Sequence, residues 1–74
     1  MKLNNISEIV DNGGEITIGR VGPIRCGATA CDEAECLVML VRRSDESFEE
    51  LLERLDAAIE DAVENGNYID EINP

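Results

Sequence analysis

The most reactive side chains in this sequence belong to three cysteines, Cys26, Cys31 and Cys36, placed five residues apart. Zinc sites need four ligands and usually pair them two to four residues apart, so this spacing does not predict a zinc site. Cys31 and Cys36 flank a predicted hairpin loop, and a disulfide between them is geometrically conceivable. The odd count and the expected cytoplasmic location favour instead three free thiols that serve as small core residues.

The sequence contains no histidine. This removes the commonest general base and metal ligand, and with it every nucleophile that depends on a Ser–His or Cys–His pair. A phosphate-binding glycine motif is also missing, because Gly13-Gly14 lacks the spacing and the lysine of a P-loop. We therefore predict a protein that is not an enzyme and that uses no cofactor and no metal ion.

Acidic residues are concentrated in the C-terminal part of the chain. Residues 44–74 contain eleven acids and one base, whereas residues 1–43 contain six acids and five bases, and the formal net charge is −11. On a helix, acids that advance by three or four residues line one side. The predicted acidic face consists of Glu49, Glu53, Asp56, Glu60, Asp61 and Glu64.

Two interpretations of the predicted acidic face remain open. Acids in the last turn of a helix oppose its dipole, so helix stability alone does not explain them. The face is either a solvated surface or a rod of carboxylates for a basic groove, as in proteins that imitate nucleic acid. Direct binding of nucleic acid is not expected, because lysine and arginine supply most phosphate affinity. The partner that this charge predicts is a basic protein.

Four arginines form a second candidate site, an anion-binding or acid-pairing cluster. In the predicted strand register they gather at one end of the sheet, where like charges repel unless something anionic lies nearby. The cluster consists of Arg20, Arg25, Arg42 and Arg43. Internal pairing is favoured because acids are plentiful, and the candidate partners are Asp45, Glu46, Asp70, Glu71 and the terminal carboxylate of Pro74. The alternative is an anion or a partner held by the arginine forks.

A helix over residues 47–66 is the element that must position the acids. Ser47 and Glu50 form a capping box at its start, and Asn65-Gly66 is a typical helix end. Its apolar stripe consists of Phe48, Leu51, Leu52, Leu55, Ile59, Ala62 and Val63.

Three strands are predicted before this helix, over residues 15–21, 24–31 and 36–43. The first alternates apolar and polar residues, Gly22-Pro23 makes the following turn, and the third is a near-continuous apolar run. Residues 3–10 predict a short N-terminal helix, with a loose arm as the competing interpretation. Residues 67–73 either add a short edge strand or form a tail.

The fold class that follows is α+β. We predict one domain over residues 1–74, with a three-stranded, alternatively four-stranded, antiparallel β-meander and the long C-terminal helix packed on one face. Simple turns place Ile16, Ile18, Val38 and Leu40 on one side of the sheet. The other side carries small residues, so the helix is predicted there. The first side then needs a cover, either the N-terminal segment or a second subunit, and this makes it the predicted dimer face.

No apolar run approaches the length of a membrane span, and the N-terminus is too polar for a signal peptide. We therefore expect a cytoplasmic protein without a membrane partner.

Three segments carry a resemblance to known proteins. The string Gly-Arg-Val-Gly-Pro-Ile-Arg-Cys at 19–26, the strand at 37–43 and the helix at 48–59 resemble small uncharacterised proteins of bacterial and mobile-element genomes. The resemblance implies no activity and identifies no functional residue. It favours interaction proteins of phages or plasmids, including inhibitors of host defence.

The leading prediction is a small acidic protein-binding module, in its sharpest form an inhibitor that offers its helix to a restriction or CRISPR complex. The first alternative is a homodimeric accessory protein joined through the predicted dimer face. A third class is a thiol-based redox or metal module that uses Cys31 and Cys36.

Overall fold

The architecture is a four-stranded sheet with two helices, seen in a computed structural model that describes residues 2–73. Its elements in chain order are α1 (Asn4–Asp11), β1 (Glu15–Val21), β2 (Ile24–Cys31), β3 (Cys36–Val41), α2 (Phe48–Asn65) and β4 (Ile69–Asp70). The strands lie in the order β1-β2-β3-β4, and the α+β class is confirmed.

The sheet is mixed, which corrects the prediction of a wholly antiparallel meander. The pairs β1–β2 and β2–β3 are antiparallel, but β4 runs parallel to β3, with Ile69 beside Val38 and Asp70 beside Met39. Parallel neighbours need a crossover connection, and α2 provides it by returning the chain to the start of β3. The predicted short edge strand therefore exists, with the opposite direction to the one expected.

Helix α2 begins and ends where the sequence predicts. The Ser47 hydroxyl accepts a hydrogen bond from the Glu50 N–H, and the Glu50 carboxylate accepts one from the Ser47 N–H. Gly66 closes the helix with a φ of 72°, a left-handed conformation that glycine adopts without a steric cost. Two residues of the predicted apolar stripe stay largely outside the core, because Phe48 is 50% exposed and Val63 is 64% exposed.

Helix α1 confirms the short N-terminal helix, and it packs against β1, β2 and α2. Ile9 is its buried residue, and Ile6 is packed against the core. The turn after α1 depends on Gly14, where a Cβ would lie 2.6 Å from the Cys31 carbonyl oxygen. That approach is too close for any side chain, so α1 can fold back against β2 only with glycine at this position.

The strand register differs from the prediction by one residue in β2. Ile18 lies opposite Ala28, and Ala28 lies opposite Leu40. The simple turns assumed in the prediction, two residues at Gly22-Pro23 and four at residues 32–35, put Gly27 between Ile18 and Leu40. The cause is a pair of irregularities, one between Gly19 and Val21 and one at the Cys31 end of β2. The two shifts compensate, so β1 and β3 keep their predicted alignment while β2 slides by one residue.

The slide decides which side of the sheet α2 covers. It brings the small residues Ala28 and Ala30 onto the same side as Ile16 and Ile18, and small side chains let a helix approach closely. Helix α2 packs there with α1 beside it, so the predicted placement of α2 on the opposite side is wrong.

The predicted dimer face is corrected by the same finding. Its residues Val38 and Leu40 are 0% and 1% exposed, and Ile16 and Ile18 pack against the same core. Val38 and Leu40 are therefore covered by the protein's own helices, and Ile16 and Ile18 are covered in part. The N-terminal segment, one of the two predicted covers, does cover part of this side, because α1 packs against β1 and β2.

Candidate functional site

Four of the predicted acidic-face residues form what we call the acidic ridge, an exposed line along α2. It consists of Glu49, Glu53, Glu60 and Glu64. Within residues 2–73, none of these four carboxylates accepts a hydrogen bond or forms an ion pair. Glu49 and Glu53 are four residues apart, as are Glu60 and Glu64, and like charges at that spacing repel on a helix. The ridge thus concentrates negative charge that no described group neutralises.

Asp56 lies on the same helix but serves the fold. Its carboxylate accepts hydrogen bonds from the backbone N–H groups of Asn5 and Ile6, both at 2.9 Å, and from the Asn5 side-chain amide at 3.0 Å. The residue before α1, Leu3, makes no side-chain cap. Asp56 therefore caps α1 from a neighbouring helix, and it is not free to meet a partner.

Asp61 is also engaged within the molecule. Its carboxylate accepts hydrogen bonds from the side-chain amides of Asn65, at 2.8 Å, and Asn67, at 3.1 Å. These contacts tie the last turn of α2 to the segment that leads into β4.

A groove of about 280 Å³, which we call the acidic groove, lies between α1 and α2 beside the β2–β3 loop. Four carboxylates line it, from Glu8 of α1, Asp32 of the loop, and Glu60 and Glu64 of the acidic ridge. The groove also has apolar lining from Ile9, Leu37, Ile59 and Val63. Glu8 and Asp32 were not predicted as site residues, since only the packing of α1 against α2 and the loop brings them beside the ridge.

The β2–β3 loop that contributes Asp32 is held in place by its own hydrogen bonds. The Asp32 carboxylate accepts bonds from the backbone N–H groups of Ala34, at 2.8 Å, and Glu35, at 2.7 Å. These two donors stabilise the ionised form, so they lower the pKa of Asp32 below its ordinary value. Asp32 therefore presents a charged carboxylate to the groove at neutral pH.

A disulfide joins Cys31 and Cys36 across the base of this loop, between directly opposed residues. The favoured interpretation of three free core thiols is therefore wrong for this pair, and Cys36 is exposed. Cys26 is free, half-buried and packed against the core.

Two of the predicted internal partners of the arginine cluster, Glu46 and Glu71, are bound by a different base. Arg54 of α2 binds Glu46 at 2.7 Å and Glu71 at 3.0 Å, and it donates to the Val41 carbonyl oxygen. The Arg54 guanidinium lowers the pKa of Glu46 to about 2 by hydrogen bonding to its carboxylate. The single base of the acidic half therefore neutralises two acids that also accept backbone hydrogen bonds at the end of β3, from Val41 and Arg43.

Three of the four clustered arginines share a cleft at the opposite end of β2 from the acidic groove. We call it the arginine cleft; it has a volume of about 440 Å³ and is lined by Arg25, Arg42 and Arg43. Arg20 lies on β1 at the strand irregularity and does not line the cleft. In the part of the chain that the structure describes, none of the four forms an ion pair, so the favoured pairing with Asp45, Glu46, Asp70 or Glu71 is not found there. The fifth predicted partner, Pro74, lies outside the described residues.

Across residues 2–73, no three histidine, cysteine or acidic side chains are grouped so as to hold a metal ion. Neither α1 nor α2, the helices seen in that part of the chain, has the length and apolar character to cross a membrane.

Comparisons with protein-family models, with characterised proteins and with solved structures gave no match to this chain. The class defined by the fold and the sites is thus a small α+β domain with an acidic ridge at one helix and a separate arginine cleft.

Proposed function

We propose that this protein is a non-enzymatic binding module whose acidic ridge and acidic groove bind a basic protein. The observation that carries the proposal is the division among the acids of α2. Asp56 and Asp61 are bonded within the fold, while the four ridge carboxylates stay exposed and have no partner among residues 2–73. A basic partner would relieve the repulsion along the ridge and gain charge-assisted hydrogen bonds.

The acidic groove favours a protein partner over a simple counter-ion. Lysine and arginine carry apolar stems below their charged ends, and they bind best where an apolar surface and a carboxylate lie together. The groove combines these features, because Ile59 and Val63 adjoin Glu60 and Glu64. Val63 is 64% exposed, so its apolar surface is available to such a stem.

The finer form of the proposal concerns the kind of partner. A ridge of carboxylates resembles the charge of a nucleic-acid backbone, so the fitting partner is a cytoplasmic protein that binds nucleic acid in a basic groove. In that role the module would block the groove, as an inhibitor from a phage or another mobile element would. Added nucleic acid should then compete with the module for its partner, and binding should weaken steeply as salt rises.

Charge reversal on the ridge tests the proposal. The variant Glu53→Lys, Glu60→Lys, Glu64→Lys should lose capture of a basic partner from a host lysate, with affinity for the purified partner reduced at least tenfold. Asp56 is left unchanged in this variant because its carboxylate holds α1.

The matched control replaces three other exposed acids by lysine, so it changes the net charge by the same amount. The variant Glu15→Lys, Glu33→Lys, Asp45→Lys lies outside α2. It should keep most of the affinity, because only general charge is altered. Equal losses in both variants, or capture that survives the ridge reversal, would show that the ridge is not the binding surface.

A further inference from the structure

A second binding surface is indicated by the arginine cleft, which is separate from the acidic ridge. The chain has 17 acids and 6 lysine or arginine residues, so carboxylates are abundant. Within residues 2–73 both ion pairs nevertheless go to Arg54, and Arg25, Arg42 and Arg43 have none. Three exposed guanidinium groups around one cleft repel each other, and an anion in the cleft would remove that repulsion.

Hydrogen bonds within the fold hold Arg42 and Arg43 in place. The Arg42 backbone N–H donates to the Cys26 carbonyl oxygen, and its side-chain Nε donates to the Glu46 carbonyl oxygen, both at 3.0 Å. The Arg43 backbone N–H donates to a carboxylate oxygen of Glu46 at 3.0 Å. These bonds fix the chain at the end of β3, and the terminal nitrogens of Arg42 donate to no group among the described residues.

Three acidic residues lie on one side of the cleft, and the carboxylates of two of them are bound by other groups of the fold. Arg43 also borders a small pocket with Asp45, Glu46 and Glu50. Glu50 is used in the capping box, and Glu46 is bound by Arg54. None of the three forms an ion pair with Arg43 in residues 2–73.

We propose that the arginine cleft binds a small molecule that carries a phosphate or diphosphate group on an apolar body. The planar arginine fork matches the oxygens of a phosphate, and three such forks match a group with two or three negative charges better than a single carboxylate. The Ser44 hydroxyl lines the same cleft and adds a hydrogen-bond donor. Pro23, Ile24 and Val41 supply the apolar wall for the rest of the ligand.

The net charge of the protein selects a small ligand over a polyanion. A nucleic acid in the cleft would extend far enough to meet the field of a chain with a net charge of −11. A compact phosphate lies within contact distance of the arginines, and at physiological salt the charges beyond about 8 Å are largely screened from it. The volume of about 440 Å³ is also in the range of small-molecule pockets.

Titration of the ¹⁵N-labelled full chain followed by NMR tests this site. The probes are inorganic phosphate, inorganic pyrophosphate and phenyl phosphate, each added at a fixed ionic strength. Saturable shifts are expected at the amides of Arg25, Cys26 and residues 41–44. Pyrophosphate should bind more tightly than phosphate because of its charge, and phenyl phosphate more tightly than phosphate because of the apolar wall.

Three glutamine variants decide whether the cleft arginines are responsible. Arg25→Gln or Arg42→Gln should weaken pyrophosphate binding at least tenfold, and Arg20→Gln, which removes the same charge outside the cleft, should change it less than twofold. An unchanged spectrum elsewhere in the chain confirms that each variant is folded. No saturable shift below about 10 mM pyrophosphate, or an equal effect of Arg20→Gln, would overturn the proposal. If phenyl phosphate binds no more tightly than inorganic phosphate, the proposal that the ligand carries an apolar body is wrong.

Discussion

Arg54 connects three segments that are distant in the sequence. Its guanidinium donates to the Val41 carbonyl oxygen at the end of β3, to Glu46 in the following loop, and to Glu71 after β4. Glu71 completes the network by accepting a hydrogen bond from the Val41 N–H at 2.9 Å. The Arg54 and Glu46 side chains are only 19% and 7% exposed, so water screens their attraction less than at an open surface.

Glu46→Gln tests the contribution of this network to stability. The pKa of Glu46 is about 2 in the folded protein against an ordinary value of 4.5, so the ionised carboxylate stabilises the fold above pH 4.5. That stabilisation is lost as the pH falls from 4.5 towards 2. We expect the variant to have a lower free energy of unfolding at pH 7 and a shallower decline in acid.

Urea unfolding at a series of pH values measures both effects. Glu49→Gln is the matched control, because Glu49 is exposed and makes no bond within the described residues. A Glu46→Gln protein as stable as the control at pH 7 would contradict the assignment.

The cysteines show what sequence reasoning reached at the scale of single residues. The hairpin correctly put Cys31 and Cys36 opposite each other, and the structure joins them. The expectation of free thiols came from the assumed compartment, which geometry does not determine. Local spacing was therefore informative, and an assumption about the chemical environment was not.

Among the elements, α1 depends most on a contact that the sequence does not reveal. It has only eight residues, and an isolated helix of that length is unstable in water. Leu3 offers no cap to its first N–H groups, and Asp56 supplies the missing acceptor from α2. The missing cap at the start of α1 indicates that a residue elsewhere in the chain must accept these hydrogen bonds, but it does not identify that residue.

Asp56→Ala should release α1 while leaving α2 intact. Loss of a helix cap typically costs about 1 to 2 kcal/mol, and here it also leaves the N–H groups of Asn5 and Ile6 without a protein acceptor. We expect amide hydrogen exchange to accelerate across Asn4–Asp11 and to stay slow in the buried turns of α2. Glu53→Ala, an exposed change on the same helix, should leave exchange in α1 unaltered, and α1 protection that survives Asp56→Ala would refute the capping role.

The strands show why element positions were easier to predict than element contacts. Periodicity and turn residues located all three main strands and α2 closely. The register failed because Gly19, with a φ of 124°, allows an irregularity that no alternation pattern contains. A shift of one residue in β2 then changed which side carried the small residues, and with it the placement of α2.

The charge of the whole molecule opposes its own compact state. A net charge of −11 on 74 residues generates repulsion that salt should screen. We expect the melting temperature to rise when NaCl is increased from about 0.02 to 0.5 M. The ridge variant Glu53→Lys, Glu60→Lys, Glu64→Lys should show a smaller rise, because its net charge is less negative by six units. A melting temperature that is independent of salt would contradict this account.

The two candidate sites differ in how much of them sequence could reveal. The acidic ridge lies on one helix, so its spacing was sufficient to find it, although the bonds that occupy Asp56 and Asp61 were not visible. The acidic groove and the arginine cleft are each built from separate segments. The groove forms only where α1 packs beside α2, which the sequence does not show. The cleft differs from the predicted arginine cluster because Arg20 lies outside it.

The parallel pairing of β4 has a consequence for the order in which the chain is made. During synthesis β1, β2 and β3 leave the ribosome first and can pair with their immediate neighbours. The free edge of β3 then stays unpaired until α2 has been translated and has docked, because only the crossover brings Ile69 beside Val38. The nascent protein consequently passes through a stage in which an apolar strand has an unprotected edge, and pairing with β4 ends that exposure at Val38 and Met39.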